Sequence, residues 1–222
     1  MKLVSRVYLL YICRMNEELK NILLKVRELY MKYGIKSITM DDVATEMGIS
    51  KKTLYQFVTD KEELVGKFVD NDIEIRKEEI HKCFKIGFNA IEELFEISAF
   101  MNKIMRDQNP ATDYDLKKYY PHHYEKIVKT RREGIFDYIL LNIKKGKKEG
   151  LYRDDLNEEI ITKLYLSRLE NSQFNELFSA EEFTSIKLFV ELLNYHVRGI
   201  ATEKGIIVLE KKINELETNY NK

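Results

Sequence analysis

An all-α fold is predicted, and three properties of the sequence predict it. Leu, Ile, Glu and Lys dominate a chain of 222 residues in which a third are charged and only two are Pro, a composition that favours helix over sandwich or barrel. Apolar residues recur at three- and four-residue spacing, with no stretch of convincing strand alternation. The breaks between runs carry Gly, Pro or capping residues. The length suffices for one large domain or two small ones.

The first segment, MKLVSRVYLLYICRM, has a basic start and a short apolar run from Val7 to Cys13 that superficially imitates a secretion signal. No small-residue cleavage site follows, so residues 1–14 are expected to be a non-native or flexible extension, with Met15 the natural start. The competing expectation is an extra helical turn packing on helix 1. That helix is predicted over about Asn16 to Tyr33, where Leu19, Ile22, Leu23, Val26, Leu29, Tyr30 and Tyr33 share one face. Gly34 stops it, and Ile35 packs back.

Two short helices come next. Thr39 opens the first, in a capping box with Asp42. Gly48 closes it, since only Gly takes the left-handed conformation without steric cost. Ser50 then caps KKTLYQFV. Ile38, Val43, Ala44, Met47, Ile49, Leu54 and Phe57 complete a three-helix core. Asp60 and Glu63 suggest a second capping box, opening a helix that runs to about Phe84. Beyond it, helices are expected over 87–107, 122–149, 157–175, from a Ser179–Glu182 cap to about His196, and over 202–218. Ala111 to Pro121 reads as a loop or short helix, and Gly150 as a stop.

Two helices about a Gly-containing turn have the layout of a helix-turn-helix, whose second helix lies in the DNA major groove. Lys51, Lys52, Thr53, Tyr55 and Gln56 form its polar and basic set, and no acid occurs from Met47 to Thr59. A solvated helix face more often mixes the two signs. Lysine pairs with phosphates or guanine, Gln with adenine, and Tyr with a phosphate and the sugar. Zero formal net charge argues against a non-specific nucleic-acid coat and allows a specific binder with a local basic patch.

The pattern Thr39…Val43-Ala44…Gly48-Ile49-Ser50…Thr53-Leu54-Tyr55…Lys61-Glu62-Glu63-Leu64 resembles the amino-terminal domain of TetR-type transcriptional regulators, over about residues 17–66. Phe57 and Val58 depart from it, where the family usually has His or Tyr and then Phe; both changes stay apolar or aromatic. The resemblance implies a helix-turn-helix DNA-binding domain over 15–66. Over 67–222 it implies a larger helical ligand-binding and dimerisation domain. Thr39, Tyr55 and Lys61 would position the domain on phosphates, while Lys51, Lys52, Thr53 and Gln56 read or flank bases.

A helix-turn-helix protein reads two half-sites about 34 Å apart, which requires a dimer. The heptad-like seam of Ile206, Leu209, Ile213 and Leu216, and the stripe of Ile186, Phe189, Val190, Leu193 and Val197, suggest a homodimer interface through Ile186, Phe189, Leu193, Ile206, Leu209 and Ile213. Gly199, Ala201 and Gly205 offer surfaces for close backbone approach. The alternative is that these stripes pack only on their own chain. In the family a small-molecule pocket lies among the central helices. Phe88, Phe95, Met101, Met105, Tyr120, Tyr124 and Phe136 are its candidate lining here, for a lipophilic or aromatic effector. Ordinary helical core is the alternative for each.

Other chemistries are not expected. Cys13 and Cys83 match no metal or redox spacing. His122-His123 would point about 100° apart on a helix and lack a completing ligand set, whether or not His81 or His196 is added. No nucleophile motif or phosphate-cradling loop occurs, so neither an enzyme nor a bound cofactor or metal is expected. Lys144-Lys145 and Lys147-Lys148 read as a solvated helix end. No apolar run spans a bilayer. The expected protein is a cytoplasmic, ligand-responsive regulator, more specifically a repressor acting as a homodimer on a palindromic operator in double-stranded DNA. The alternative is a helical adaptor that keeps the fold without specific DNA binding.

Overall fold

The computed structural model describes residues 2–83, 87–107, 109–170, 177–179 and 185–220. Among these residues the secondary structure is helical, save one isolated antiparallel bridge between Tyr152 and Ala201. The helices are α1 (Lys2–Tyr33), α2 (Met40–Glu46), α3 (Lys51–Leu54), α4 (Lys61–Cys83) and α5 (Ala90–Asp107). They continue with α6 (Pro110–Tyr119), α7 (Pro121–Lys148), α8 (Glu158–Glu170), α9 (Ile186–Ile200) and α10 (Glu203–Tyr220). The all-α expectation holds. Helix α1 begins at Lys2 rather than near Asn16.

The chain forms two compact units. One comprises residues 1–77 and 108–128, the other 78–107 and 129–222. The first therefore reaches beyond the expected boundary at residue 66 and recruits α6 and the start of α7. Its core joins Val26 and Tyr30 of α1 with Val43, Leu54, Leu64 and Phe68, and Leu116 of α6 adds to it. Tyr30 and Phe68 meet edge-on, 5.2 Å between centroids. Asp72 is buried, and its charge is met from both sides by Arg27 (2.7 Å) and Arg76 (2.5 Å). A buried carboxylate needs such partners, and here the pairing ties α1 to α4.

The second unit is built on Ala90, Ile91, Leu94 and Phe95 of α5, Ile139 and Ile143 of α7, Tyr165 of α8, and Leu193, Val197 and Leu209 of α9 and α10. Gly146 lets α7 touch Tyr152, whose ring occupies the space a Cβ would need. Gly205 likewise takes the backbone of Leu151, while Gly199 faces open space. The close approach expected at Gly205 thus lies within one chain. Lys145 is not a solvated helix-end cation: it is bound to Glu93 and the Phe88 carbonyl. Lys147 is bound to the Leu156 carbonyl and paired with Glu158.

Candidate nucleic-acid interface

Local chemistry fixes the helix-turn-helix. The Thr39 hydroxyl accepts the Asp42 N–H at 3.1 Å, and the Asp42 carboxylate accepts the Thr39 N–H at 2.7 Å. The Thr39 N–H and then the Thr39 hydroxyl, both donating to the Asp42 carboxylate, hold that carboxyl below its ordinary range. Gly48 has φ +65°, and Ile49 N–H returns to the Ala44 carbonyl at 3.0 Å, a helix-ending bond of the left-handed cap. Ser50 accepts the Thr53 N–H at 3.0 Å and starts α3.

Helix α3 is shorter than the expected KKTLYQFV. After Leu54 the backbone tightens, with Gln56 N–H bonded to the Thr53 carbonyl and Phe57 N–H to Leu54, a three-residue pattern. Leu54 and Val58 are buried and seat the segment, while Phe57 is half-buried. Lys52, Tyr55 and Gln56 are exposed. Lys51 is exposed too, but its ammonium is bound to Asp41 at 2.9 Å, which raises its pKa. The Thr53 hydroxyl lies 2.8 Å from that of Ser50. Among the expected base readers, Lys52 and Gln56 have exposed side chains, whereas the Lys51 ammonium is engaged by Asp41.

At the next cap, Asp60 accepts the Glu63 N–H at 2.8 Å, but the Glu63 carboxylate returns to the N–H and hydroxyl of Thr59 instead of Asp60. The box is offset by one residue. Lys61 is half-buried and donates to the Lys36 carbonyl at 3.3 Å. Burial lowers its pKa, against the opposing pull of Asp115 and Asp42. It is less free for a phosphate than an exposed lysine.

The other expected sites redistribute. Phe95 is buried in the second unit's core and Met101 packs against that core, while Phe88 and Phe136 are half-buried. Tyr120 and Tyr124 instead pack on the core of the first unit. The Met105 side chain lies outside the described residues. Of the candidate lining, Phe95 and Met101 thus belong with the core of the second unit, and Tyr120 and Tyr124 with that of the first. Periodicity marks such residues as apolar-facing without saying which core they face.

Five of the six side chains expected at the interface belong to or pack on the second unit's own core. Leu193 and Leu209 are buried within their own chain, at 2% and 0% exposure, Phe189 is buried beside Phe95, and Ile206 and Ile213 pack on the same core. The Ile186 side chain and the cap expected at Glu182 lie outside the described residues; the hydroxyl that caps α9 belongs to Ser185. Apolar side chains left open on this unit include Leu141 (63%) on α7, Ile160 (54%) and Leu164 (61%) on α8, Leu177 (78%), Tyr195 (81%) on α9 and Ile207 on α10. The four-residue spacing of Ile160 and Leu164 was a usable signal, hidden because α8 is apolar on its inner face as well. His123 lies 3.2 Å from Glu62, an ion pair when the imidazole is protonated.

Residues 22–67 match the family model described as bacterial regulatory proteins, tetR family. The chain is 24% identical over 190 residues to the uncharacterized HTH-type transcriptional regulator YvaF of Bacillus subtilis (strain 168), covering 83% of this chain and 96% of that one. In fold it is similar to a TetR-family transcriptional regulator from Cytophaga hutchinsonii, with TM-score 0.67, 15% identity and coverage of 86% and 98%. It is also similar to a transcriptional regulator from Saccharomonospora viridis solved in complex with choline, with TM-score 0.57, 16% identity and coverage of 85% and 100%.

Proposed function

This chain belongs to the TetR family of DNA-binding transcriptional regulators, and from that membership we propose that it is a ligand-responsive repressor acting as a homodimer on a palindromic operator. One observation carries the reading. Lys52, Tyr55 and Gln56 stand exposed on an acid-free segment whose backbone is fixed by the Thr39, Gly48 and Ser50 caps. Tyr55 and Lys61, with Thr39, position the domain on phosphates. Gln56 and Lys52 read base edges, with Thr53 and Lys51 flanking them once Lys51 has left Asp41. The adaptor alternative leaves this exposed polar set without a task.

The dimer surface we favour draws on the open apolar side chains of α8, α9 and α10, Ile160 and Leu164 with Tyr195 and Ile207, because a partner gains most by covering side chains still in water. An effector would bind in the second unit among aromatic side chains such as Phe95 and Phe136, with hydroxyls setting its orientation. The choline complex of the Saccharomonospora viridis regulator makes a small organic effector a reasonable class, and the aromatic surroundings here favour a lipophilic or aromatic one. To move the protein from almost fully DNA-competent to almost fully released, the effector must prefer the released conformation about ten-thousand-fold. No constellation supporting an enzyme is part of this reading. No helix among the described residues is long and apolar enough to cross a membrane, and operator binding places the protein in the cytoplasm.

The direct test is anisotropy titration of the purified protein and its Tyr55→Ala variant with labelled duplexes from the region upstream of its own coding sequence. Saturable, salt-sensitive binding weakened by the substitution supports the reading. Equal, weak binding of all duplexes by both proteins favours the adaptor.

A further inference from the structure

We propose that α6 and the turn between α1 and α2 form a lysine and tyrosine flank that binds the DNA backbone outside the bases read by α3. The proposal rests on the operator-binding reading above and extends its footprint.

The chain leaves the first unit after Lys77 and returns to it at residue 108. Helix α6 is fastened there by polar bonds. The Thr112 hydroxyl donates to the Tyr30 carbonyl, and the Asn109 amide donates to the Lys32 carbonyl at 3.2 Å. Both are last-turn carbonyls of α1, and that of Tyr30 also accepts the Gly34 N–H at 2.9 Å. The Asp115 carboxylate accepts the Lys36 N–H at 2.7 Å. Gly34, at φ +82°, permits the fit, since a Cβ there would come within 3.2 Å of Asp115 and 3.3 Å of Ala111.

Outward from this joint lies the flank. The Lys36 ammonium donates to the Tyr119 hydroxyl at 2.8 Å and stands 4.2 Å from that ring's centroid. Lys118 stands 5.2 Å from the same ring and donates to the Tyr114 hydroxyl at 2.7 Å. Lys32 lies 4.8 Å from the Tyr33 ring. Tyr33, Tyr114 and Tyr119 are all exposed, as are Lys32, Lys36, Lys117 and Lys118.

Two features point to a polyanionic backbone as the occupant. Two ammonium groups lie within 5.2 Å of the centroid of one aromatic ring, which attracts each of them but leaves their mutual repulsion for an anion to relieve. The carboxylate at the joint, Asp115, is buried and committed to the Lys36 N–H. The flank is also continuous with the DNA-facing start of α4, because Lys61 reaches the Lys36 carbonyl. Phenol hydroxyls and ammonium groups are common partners of phosphate oxygens and fix position without reading sequence. Hydrogen bonding from Lys36 lowers the Tyr119 pKa, in keeping with a polarised hydroxyl.

The test uses full-length protein and its operator duplex in two lengths, the second extended by about one helical turn (~10 bp) at each end. Binding is titrated across a salt series. The wild type is expected to bind the longer duplex about tenfold more tightly, with a log–log salt slope steeper by about two per protomer. A Lys36→Ala/Lys118→Glu variant should lose that advantage and keep its affinity for the short duplex, while Lys118→Arg should retain it. Equal wild-type affinity for both lengths overturns the proposal, as does a double variant that keeps the length advantage or weakens both lengths alike. Failure of the operator reading is distinct: the wild type would then bind no short duplex saturably.

Discussion

Gln56 and Lys52 carry the sequence preference in this account, and each makes a separable prediction. Gln56→Ala should relax preference at one base position by about 1–3 kcal/mol and leave the salt slope unchanged, read from binding to singly substituted operators. An unchanged preference would remove Gln56 from the base-reading set. Lys51→Ala should weaken binding less than Lys52→Ala, because Lys51 must give up Asp41 before it meets DNA. The caps have a pH signature. The Asp42 and Glu63 carboxyls are both held below their ordinary range, by bonds from Thr39 and Thr59 respectively. Protons therefore bind the unfolded chain at higher pH than the folded one. Stability from the caps is complete above the unfolded carboxylate range, near 4, and is lost as pH falls through the lower folded values. Thermal midpoints recorded from pH 6 to pH 3 should drop, and Thr39→Ala should flatten part of that drop; an unchanged slope would contradict the cap assignment. At this scale the sequence was readable where chemistry is local, as at Thr39 with Asp42. It was less so at Glu63, whose choice of Thr59 over Asp60 depends on a backbone approach that residue spacing does not encode.

Among the described residues the order of elements was legible, because apolar periodicity and positive-φ glycines such as Gly34, Gly48 and Gly150 punctuate the chain. Ambiguity arose at 111–121, most of which is α6 (Pro110–Tyr119), capped by Asn109, whose side chain accepts the Ala111 N–H. The partners of each element were harder to read. The stripe of Leu193 and Leu209 has the spacing of an interface but closes on its own core, since periodicity specifies a buried face and not the body that buries it. Two predictions follow from the actual packing. Gly146→Ala should destabilise the second unit by about 1–3 kcal/mol, because its Cβ would meet the buried Tyr152 ring; chemical denaturation measures this. Leu164→Glu, placed on an open face, should leave the fold intact and give a monomer by sedimentation. A variant that remains a dimer would move the interface away from α8.

For the whole molecule, the helix-turn-helix was readable because its sequence is contiguous, while the return of residues 108–128 to that unit was not, since long-range packing leaves no local pattern. The same limit split the expected effector lining between two cores. A dimeric operator reader makes a stringent demand on what DNA it selects, and selection of the purified full-length protein against a random duplex library at physiological salt tests it most directly. The account predicts enrichment of an inverted repeat with half-site centres about one helical turn (~34 Å) or a multiple apart, bound with a steep salt dependence. A folded dimer that enriches no sequence, or that enriches a single half-site without its inverted mate, would contradict it.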